Sequence, residues 1–312
     1  MYNIIVNPAA RSGLGQKIWE DEIRPELEKR QTEYNVSFSE KKGDVCRITK
    51  NLIANNLHEG TIDIIVLGGD GTANEVFQGI CESGFPTNVH VGYIPTGSGN
   101  DLARDLRLPI SPLEVLNLII NKHNPTKMDL GRLLFEDGSK RYFSVSCGIG
   151  YDAAVCEEVA KSSLKKALNK IGLGKLIYLL IGLKQVIGTR STSSVITIDN
   201  NPPIELKKTM FIAVMNHRFE GGGFMFCPKA IDNDGRLDLC VVGDISKINV
   251  LMAFPSAYKG EHFKYKGITP YKAKKVTIET SAPLWVHNDG EVEKKSKHIS
   301  IECMENAVYI YR

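Results

Sequence analysis

From Tyr2 to about Asn124, short runs of β-branched residues alternate with longer amphipathic stretches, and three of the runs open into a glycine-rich loop. Parallel strands joined by crossover helices produce that pattern, and few other folds do. Strands are expected at residues 2–6, 33–38, 62–67 and 89–94, with helices at about 16–30, 44–58, 72–83, 99–106 and 112–121. Pro25 should kink or split the first helix, because it has no N–H and its ring crowds the preceding turn. After Lys127 the grammar changes. Residues 127–134, 141–147, 194–198, 208–215, 237–242, 275–279 and 284–287 read as strands, separated by turn signals such as Glu136-Asp137-Gly138, Asn200-Asn201-Pro202-Pro203 and Asn233-Asp234-Gly235. Helical insertions near 152–187 and 247–258 interrupt this mostly antiparallel half, and 298–311 gives two more β-like runs. No internal repeat or low-complexity tract is evident.

A chain of 312 residues supports about two domains, and 42% hydrophobic with 24% charged residues excludes disorder, collagen and coiled coil. The expected division is an α/β domain over 1–127, rejoined by 293–312, and a β domain over 128–292. The formal charge of +3 is too small to advertise nucleic-acid binding, and no nucleic-acid partner is expected. Seven scattered cysteines without Cys-x-x-Cys pairs suggest reduced thiols in a cytosol. The opening MYNIIVNPAARSG shows no basic region leading an apolar one, so no signal peptide is expected. The most apolar long segment, 171–188, carries Lys175 and Lys184 and fails the test for a spanning helix. Between Lys161 and Arg190 there are seven basic residues and no acid, interleaved with leucines and isoleucines. Such a face suits an anionic membrane surface, and equally an ordinary helix packed on the β domain.

The three glycine-rich loops are Asn7-Pro8-Ala9-Ala10-Arg11-Ser12-Gly13, Gly68-Gly69-Asp70-Gly71-Thr72 and Pro95-Thr96-Gly97-Ser98-Gly99-Asn100-Asp101. Parallel strands deliver such loops to one edge, where helix N-termini attract anions and glycine lets a phosphate approach the backbone. Three loops suggest a polyphosphate. Thr72 with Glu75, and Ser98 with Asp101, also match the helix-start capping box, a plain structural alternative. That alternative does not require an acid at Asp70. A carboxylate facing phosphate repels it unless a divalent cation, Mg²⁺ by preference, lies between them. The chain lacks G-x-x-x-x-G-K-[ST], and Gly97-Ser98-Gly99 lacks the third glycine and acid of a dinucleotide fingerprint.

The run from Gly68 to Val76 (GGDGTANEV), followed by Ile94 to Arg104 (IPTGSGNDLAR), resembles the catalytic domain of the diacylglycerol and sphingosine kinase family, especially its soluble bacterial lipid kinases. NAD kinases and phosphofructokinase-like proteins share GGDGT; the second motif narrows the match. The likeness continues through Asn7-Pro8, Met128-Asp129-Leu130-Gly131, Phe143 to Tyr151, Asn216 to Gly223 and Asp289-Gly290-Glu291. Ser98 departs from the bacterial diacylglycerol kinases, which usually carry Thr there, toward sphingosine-kinase-like members.

The resemblance implies a doubly wound, phosphofructokinase-like α/β domain, an antiparallel β-sandwich that binds lipid, and an active site in the cleft between them. It implies ATP and Mg²⁺ as cofactors. The nucleotide would be held by Asn7, Pro8, Arg11, Ser12, Gly13, Ser39, Gly68, Gly69, Asp70, Gly71, Thr72, Asn74, Glu75, Gly97, Ser98, Gly99, Asn100 and Asp101. Glu291 would be the general base for the lipid hydroxyl, Asp289 would hold Mg²⁺ or orient that hydroxyl, and Asp129 would join Asp70 and Asp289 around phosphate and metal. A second, structural Mg²⁺ would lie at Asp234 with the carbonyls of Ile231 and Arg236. From the residues alone, Asp289 and Glu291 point to one side if the backbone stays extended through Gly290, and Asn288-Asp289-Gly290 is equally a good hairpin turn. For the loop 231–236 an ordinary Asx turn is the simpler reading. Asp129 reads as a turn former at a strand start, Asp44 as a helix cap competing with a nucleotide role for Ser39, and His217 as a surface histidine.

The expected protein is thus a cytoplasmic kinase, peripheral to the inner face of the membrane, that phosphorylates the hydroxyl of diacylglycerol or a related neutral lipid. A kinase for a soluble acceptor such as NAD, or a non-catalytic sensing module on the same fold, are the rivals. A homodimer is left open.

Overall fold

The computed structural model describes residues 1–56, 60–121, 124–161, 181, 182, 184, 186, 188 and 192–312. It divides into two units, one of Met1–Met128 with Asn306–Arg312 and one of Asp129–Glu305. The chain re-enters the first unit inside its last strand at Asn306, later than the expected 293.

In the first unit β1 (Tyr2–Val6), β2 (Tyr34–Phe38), β3 (Ile62–Gly68) and β4 (Val89–Pro95) are all parallel. Their order is β2-β1-β3-β4, and Tyr309 and Ile310 add a last parallel edge on His90 and Val91. Because β2 lies on one side of β1 and β3 on the other, the winding reverses between β1 and β3. That is the topological switch point, beyond whose carboxyl ends doubly wound sheets bind ligands. The central strands are buried on both faces, which is why they read as unbroken apolar runs. Tyr2, Ile4 and Val6 point to one face, where Trp19, Ile23, Leu27, Val115, Leu116 and Ile119 pack.

The first expected helix is α1 (Leu14–Ile18), a π-helical turn (Trp19–Ile23) and α2 (Arg24–Lys29). Pro25 sits in the first turn of α2, so the chain widens before it rather than breaking. Then come α3 (Asp44–Asn55), α4 (Asp70–Glu82), α5 (Asp101–Asp105) and α6 (Pro112–Ile120).

The second unit is a mostly antiparallel β domain: β5 (Thr126–Phe135, entering from the first unit), β6 (Lys140–Phe143), β7 (Ser146–Gly150), β8 (Thr192–Ile198), β9 (Ile204–Met215), β10 (Leu237–Gly243), β11 (Ile268–Ala273), β12 (Lys275–Asn288) and β13 (Glu291–Ile310). Alternation settles its two layers. Ile212, Val214, Leu237, Leu239 and Val241 enter one core, while Ala213, Met215, Cys240 and Val242 face another, shared with Val155 and Val159 of α7 (Tyr151–Lys161) and Val250 and Ala253 of α8 (Lys247–Ala257).

Four expectations change. The run 141–147 is broken at Ser144-Val145, the two strands expected at 275–287 are one strand with a register irregularity, and 298–311 belongs to one strand starting at Glu291. β11 was not foreseen: Ile268-Thr269-Pro270-Tyr271 carries a proline, which sequence reading demotes, and among the described residues the strand pairs with β10 alone. Most of the basic segment 161–190 lies outside the described residues. Of its described lysines, Lys161 pairs with Glu157 and Lys184 with Glu158. Among the described residues no helix is long and apolar enough to cross a membrane.

Candidate active site

In the first unit the loop after β1 and the loop after β3 flank the switch point and are tied across it. Asn7 Nδ2 donates to Thr72 Oγ1 at 2.9 Å, while Asn7 Oδ1 accepts the Ala9 N–H at 3.1 Å. Arg11, Ser12 and Gly13 follow with φ of 45°, 60° and 99°. Non-glycine residues held there carry local strain of the kind that gathers at ligand-binding loops.

The loops after β3 and β4 touch through glycine. A Cβ on Gly97 would stand 2.6 Å from the Gly69 Cα, and one on Gly68 2.4 Å from the Thr72 Cβ. These glycines therefore make room. Asp70 opens α4, and its carboxylate accepts from the Tyr93 hydroxyl at 3.1 Å and from the Asp101 N–H at 3.0 Å. Burial, then the neighbouring Asp70, pushes the Tyr93 phenol well up, so it stays a donor. Arg104 braces the third loop through Asp101 and through the Gly99 carbonyl at 3.3 Å. Thr96 Oγ1 and Asn100 Oδ1 are buried here with no hydrogen-bond partner. Buried polar atoms are nearly always satisfied; the Thr96 hydroxyl can donate to a phosphate oxygen, whereas the Asn100 oxygen is an acceptor and suits a hydroxyl or a metal-bound water.

Neither capping box forms. α4 is preceded by Gly69 and α5 by Asn100 at φ 52°, and no side chain caps either. Thr72 accepts from Asn7 instead. Glu75 reaches a different helix, accepting from the N–H groups of Gly43 (2.9 Å), Val45 (3.1 Å) and Cys46 (3.4 Å) at the start of α3. Spacing within one helix could not reveal a cap given to its neighbour. Asp44 does not cap α3 either: Gly43 holds that position at φ 87°, and the Asp44 carboxylate accepts the N–H groups of Glu40 and Lys41. Ser39, buried at the head of that loop, hangs from the Val6 carbonyl through its N–H at 3.0 Å.

In the second unit Asp289 and Gly290 form a two-residue hairpin turn between β12 and β13, with φ of 48° and 76°. Two positive φ values in succession mark a type I′ turn, which Asp-Gly suits. The extended alternative fails, and Glu291 starts the returning strand, exposed and paired with Asn288. The Asp289 carboxylate accepts four hydrogen bonds, from the Ser144 N–H (2.8 Å) and hydroxyl (2.9 Å) and from the N–H groups of Val145 and Ser146 (both 2.8 Å). A carboxylate has about four acceptor positions. All are filled, so Asp289 staples the turn to the break between β6 and β7, and the metal role expected of it does not fit.

Asp129 lies inside β5, fully buried, rather than at a strand start. Its carboxylate accepts the Gly235 N–H at 2.7 Å, and its carbonyl accepts from Asn216 Nδ2 at 2.7 Å. Asn216 also donates to the Ser144 carbonyl at 3.0 Å, which joins Asp129 to the loop that Asp289 holds. His217, expected on the surface, is 1% exposed. The loop 231–236 is the Asx turn: Asp234 Oδ1 accepts the Arg236 N–H at 3.1 Å, while Oδ2 meets Lys272 Nζ at 2.6 Å. Lys272 Nζ also lies 3.3 Å from Asp238, so an ammonium already neutralises the Asp234 carboxylate on which the expected structural Mg²⁺ would depend. Among the described residues no group of three or more His, Cys, Asp or Glu side chains converges as a metal site.

Sequence reading missed the buried cluster behind the turn. His287, 0% exposed, places Nε2 3.3 Å from Asp152 Oδ2 and 3.2 Å from Glu220 Oε1, while its Nδ1 accepts the Gly290 N–H at 3.2 Å. Burial alone would lower its pKa; the carboxylates of Glu220 and Asp152 outweigh burial and raise it to about 9. The Gly290 contact opposes that second proton, because it needs a lone pair on Nδ1. The closed turn is that of the ring with its proton on Nε2 alone, and the second proton that the carboxylates favour would break the Gly290 contact. The three residues are far apart in the chain and share no motif spacing; only the sheet register brings them together.

Comparison with known proteins covers both units. Residues 1–133 match the diacylglycerol kinase catalytic domain, and 144–311 match the YegS C-terminal NAD kinase beta sandwich-like domain. A probable lipid kinase YegS-like from Xanthomonas axonopodis pv. citri is 30% identical over 89% of this chain and 86% of its own. A diacylglycerol kinase from Mycobacterium tuberculosis is 27% identical over 78% of this chain and 74% of its own. Among solved structures, a putative diacylglycerol kinase from Bacillus anthracis str. Sterne superposes with a TM-score of 0.77 at 25% identity, covering 99% of this chain and 96% of that one.

Proposed function

Since this chain belongs to the lipid kinase family that joins a diacylglycerol kinase catalytic domain to a YegS-type C-terminal domain, we propose that it transfers the γ-phosphoryl group of ATP to the hydroxyl of diacylglycerol or a related neutral lipid. The observation that carries the reading is the pair of touching glycine loops at the β1/β3 switch point, with Asp70 at the start of α4 and the unpartnered Thr96 hydroxyl beside Gly97. Backbone N–H groups at that edge receive the phosphates. Bound at Asp70, Mg²⁺ would neutralise phosphate charge that the carboxylate otherwise repels. Tyr93 and the Asp101 N–H hold that carboxylate in place.

In the second unit Glu291 takes the proton from the lipid hydroxyl as its oxygen bonds to the γ-phosphorus, while the bond from that phosphorus to the β,γ-bridging oxygen breaks and ADP leaves. Asp289 keeps the turn that presents Glu291, through its four bonds to the chain at Ser144–Ser146. Asp129 ties its strand to the Gly235 loop and, through Asn216, to Ser144. A positioned base contributes about 10²–10⁴-fold, and positioning with charge neutralisation supplies the rest. The substrate places the enzyme at a membrane surface.

The test is phosphate transfer from labelled ATP to a panel of lipids in mixed micelles, comparing the natural chain with Glu291→Gln. Label in a lipid hydroxyl, reduced at least 100-fold by the substitution, supports the reading; label only in a soluble acceptor such as NAD, or equal transfer by both proteins, overturns it.

A further inference from the structure

We propose that His287 is a positioning residue for the Asp289–Glu291 turn, accepting the Gly290 N–H on Nδ1 while Asp152 and Glu220 fix its other nitrogen as the donor. The inference rests on the proposed roles of Glu291 and Asp289 and adds three side chains to them.

Gly290 has the less supported half of the turn. Asp289 is held from both sides, by its carboxylate and by its own N–H to the Ser146 carbonyl at 2.8 Å, and Asn288 Nδ2 donates to the Tyr142 carbonyl at 3.0 Å. Gly290 is exposed, and a Cβ there would meet nothing within 4 Å, so no packing fixes it. The bond to His287 Nδ1 is the contact that fixes its peptide, and the peptide after it leads directly to Glu291.

The bond needs one tautomer. A ring with its proton on Nδ1 would set donor against donor and release Gly290. Free imidazole exchanges tautomers readily; here both carboxylates face Nε2, which makes that nitrogen the proton carrier. The Asp152 carboxylate and the Glu220 backbone are both placed. Asp152 is in the first turn of α7 and accepts the Ala153 N–H at 2.7 Å. Glu220 sits at the mouth of a tight loop, closed by its two backbone bonds with Phe224 (2.9 and 3.0 Å) around Gly221, Gly222 and Gly223, all at positive φ. Gly148 leaves the space: a Cβ there would lie 1.9 Å from Asp152 Oδ2 and 2.4 Å from His287 Nε2.

The two ring nitrogens can be separated by substitution. His287→Asn keeps an acceptor near the Nδ1 position; His287→Gln keeps a donor near Nε2 and loses that acceptor. Amide hydrogen exchange at Gly290 reads the turn without any assay of activity, and kcat and KM for ATP and lipid read its consequence. We expect Gly290 protection to drop at least 10-fold in His287→Gln and to stay within about 3-fold of the natural chain in His287→Asn. We expect kcat to follow the same order, with KM for ATP unchanged. Equal protection of Gly290 in both variants overturns the proposal, as does loss of kcat in His287→Asn equal to that in His287→Gln. If either variant fails to fold, Asp152→Asn with Glu220→Gln removes both carboxylates while keeping the ring, and unchanged Gly290 protection there overturns it. Absence of lipid phosphorylation by the natural chain would defeat the proposed function and leave the exchange result to stand by itself.

Discussion

Two short motifs, Gly69-Asp70-Gly71 in the first unit and Asn288-Asp289-Gly290 in the second, look alike on paper, and the structure uses them in opposite ways. Around Asp70 the glycines serve space: Gly69 has an ordinary φ of −90°, and Gly97 cannot carry a Cβ without striking its backbone. Around Asp289 the glycine serves conformation: Gly290 has open space and a φ of 76°. Asp70 starts a helix at the carboxyl edge of the parallel sheet, with its carboxylate accepting from Tyr93 and the Asp101 N–H, whereas Asp289 takes four hydrogen bonds from the break between β6 and β7. An acid beside glycine can thus serve the edge of a sheet or a turn of its own chain, and local spacing does not separate the two.

The largest effect should come from Asp289→Ala. Hydrogen bonds to a charged group contribute about 1.5–3 kcal/mol each, and this change strands three N–H groups, so denaturant titration should show a loss of at least about 3 kcal/mol in the second unit. Asp289→Asn, which keeps one acceptor oxygen, should lose less; equal loss would mean that the carboxylate is not the staple. Next comes Gly97→Ala, where overpacking against Gly69 should cost about 1–3 kcal/mol in the first unit and abolish nucleotide binding. Gly290→Ala should cost about 1 kcal/mol through its left-handed backbone, and Gly290→Asn only a few tenths, since Asn tolerates that region. Asn at 97 should be no better than Ala. If Asn rescues both sites or neither, space and conformation are not what separates them.

The smallest effect is in acid. Burial lowers the pKa of His262, with the Phe226 carbonyl offsetting part of it, and also lowers that of His90, where Asp63 opposes the shift. An unfolded chain takes those protons more readily, near the ordinary value of about 6.5. The stability these neutral rings lend is whole above that pH and is lost as pH falls through the lowered folded values. Buried His287, with its raised pKa, acts in the opposite sense in both proteins, so the comparison is between slopes: from about pH 7.5 to 5.5 the denaturation midpoint should fall more in the natural chain than in His262→Gln, and equal slopes remove that ring as a source.

The sequence made the first unit almost fully legible, because parallel strands buried on both faces read as plain apolar runs and their loops announce themselves with glycine. It was less informative about the second. Pro270 hid an edge strand, and the irregularity between Glu279 and Leu284 made one strand look like two. At the site, the glycine loops and the Asp-Gly turn were readable from local spacing. The work of Glu75, the ammonium of Lys272 on Asp234, and the Asp152–His287–Glu220 cluster were not, since each joins residues brought together only by tertiary folding.

The claim beneath all of this is that Asp70 and the glycine edge grip a phosphate tail through a divalent ion. Calorimetric titration with a non-hydrolysable ATP analogue, run with Mg²⁺ and with EDTA, on the natural chain and on Asp70→Asn, tests it most directly. Binding in Mg²⁺ should weaken at least 10-fold in EDTA and again in the variant. Binding that ignores both the chelator and the substitution, or no heat from the natural chain in Mg²⁺, would contradict it.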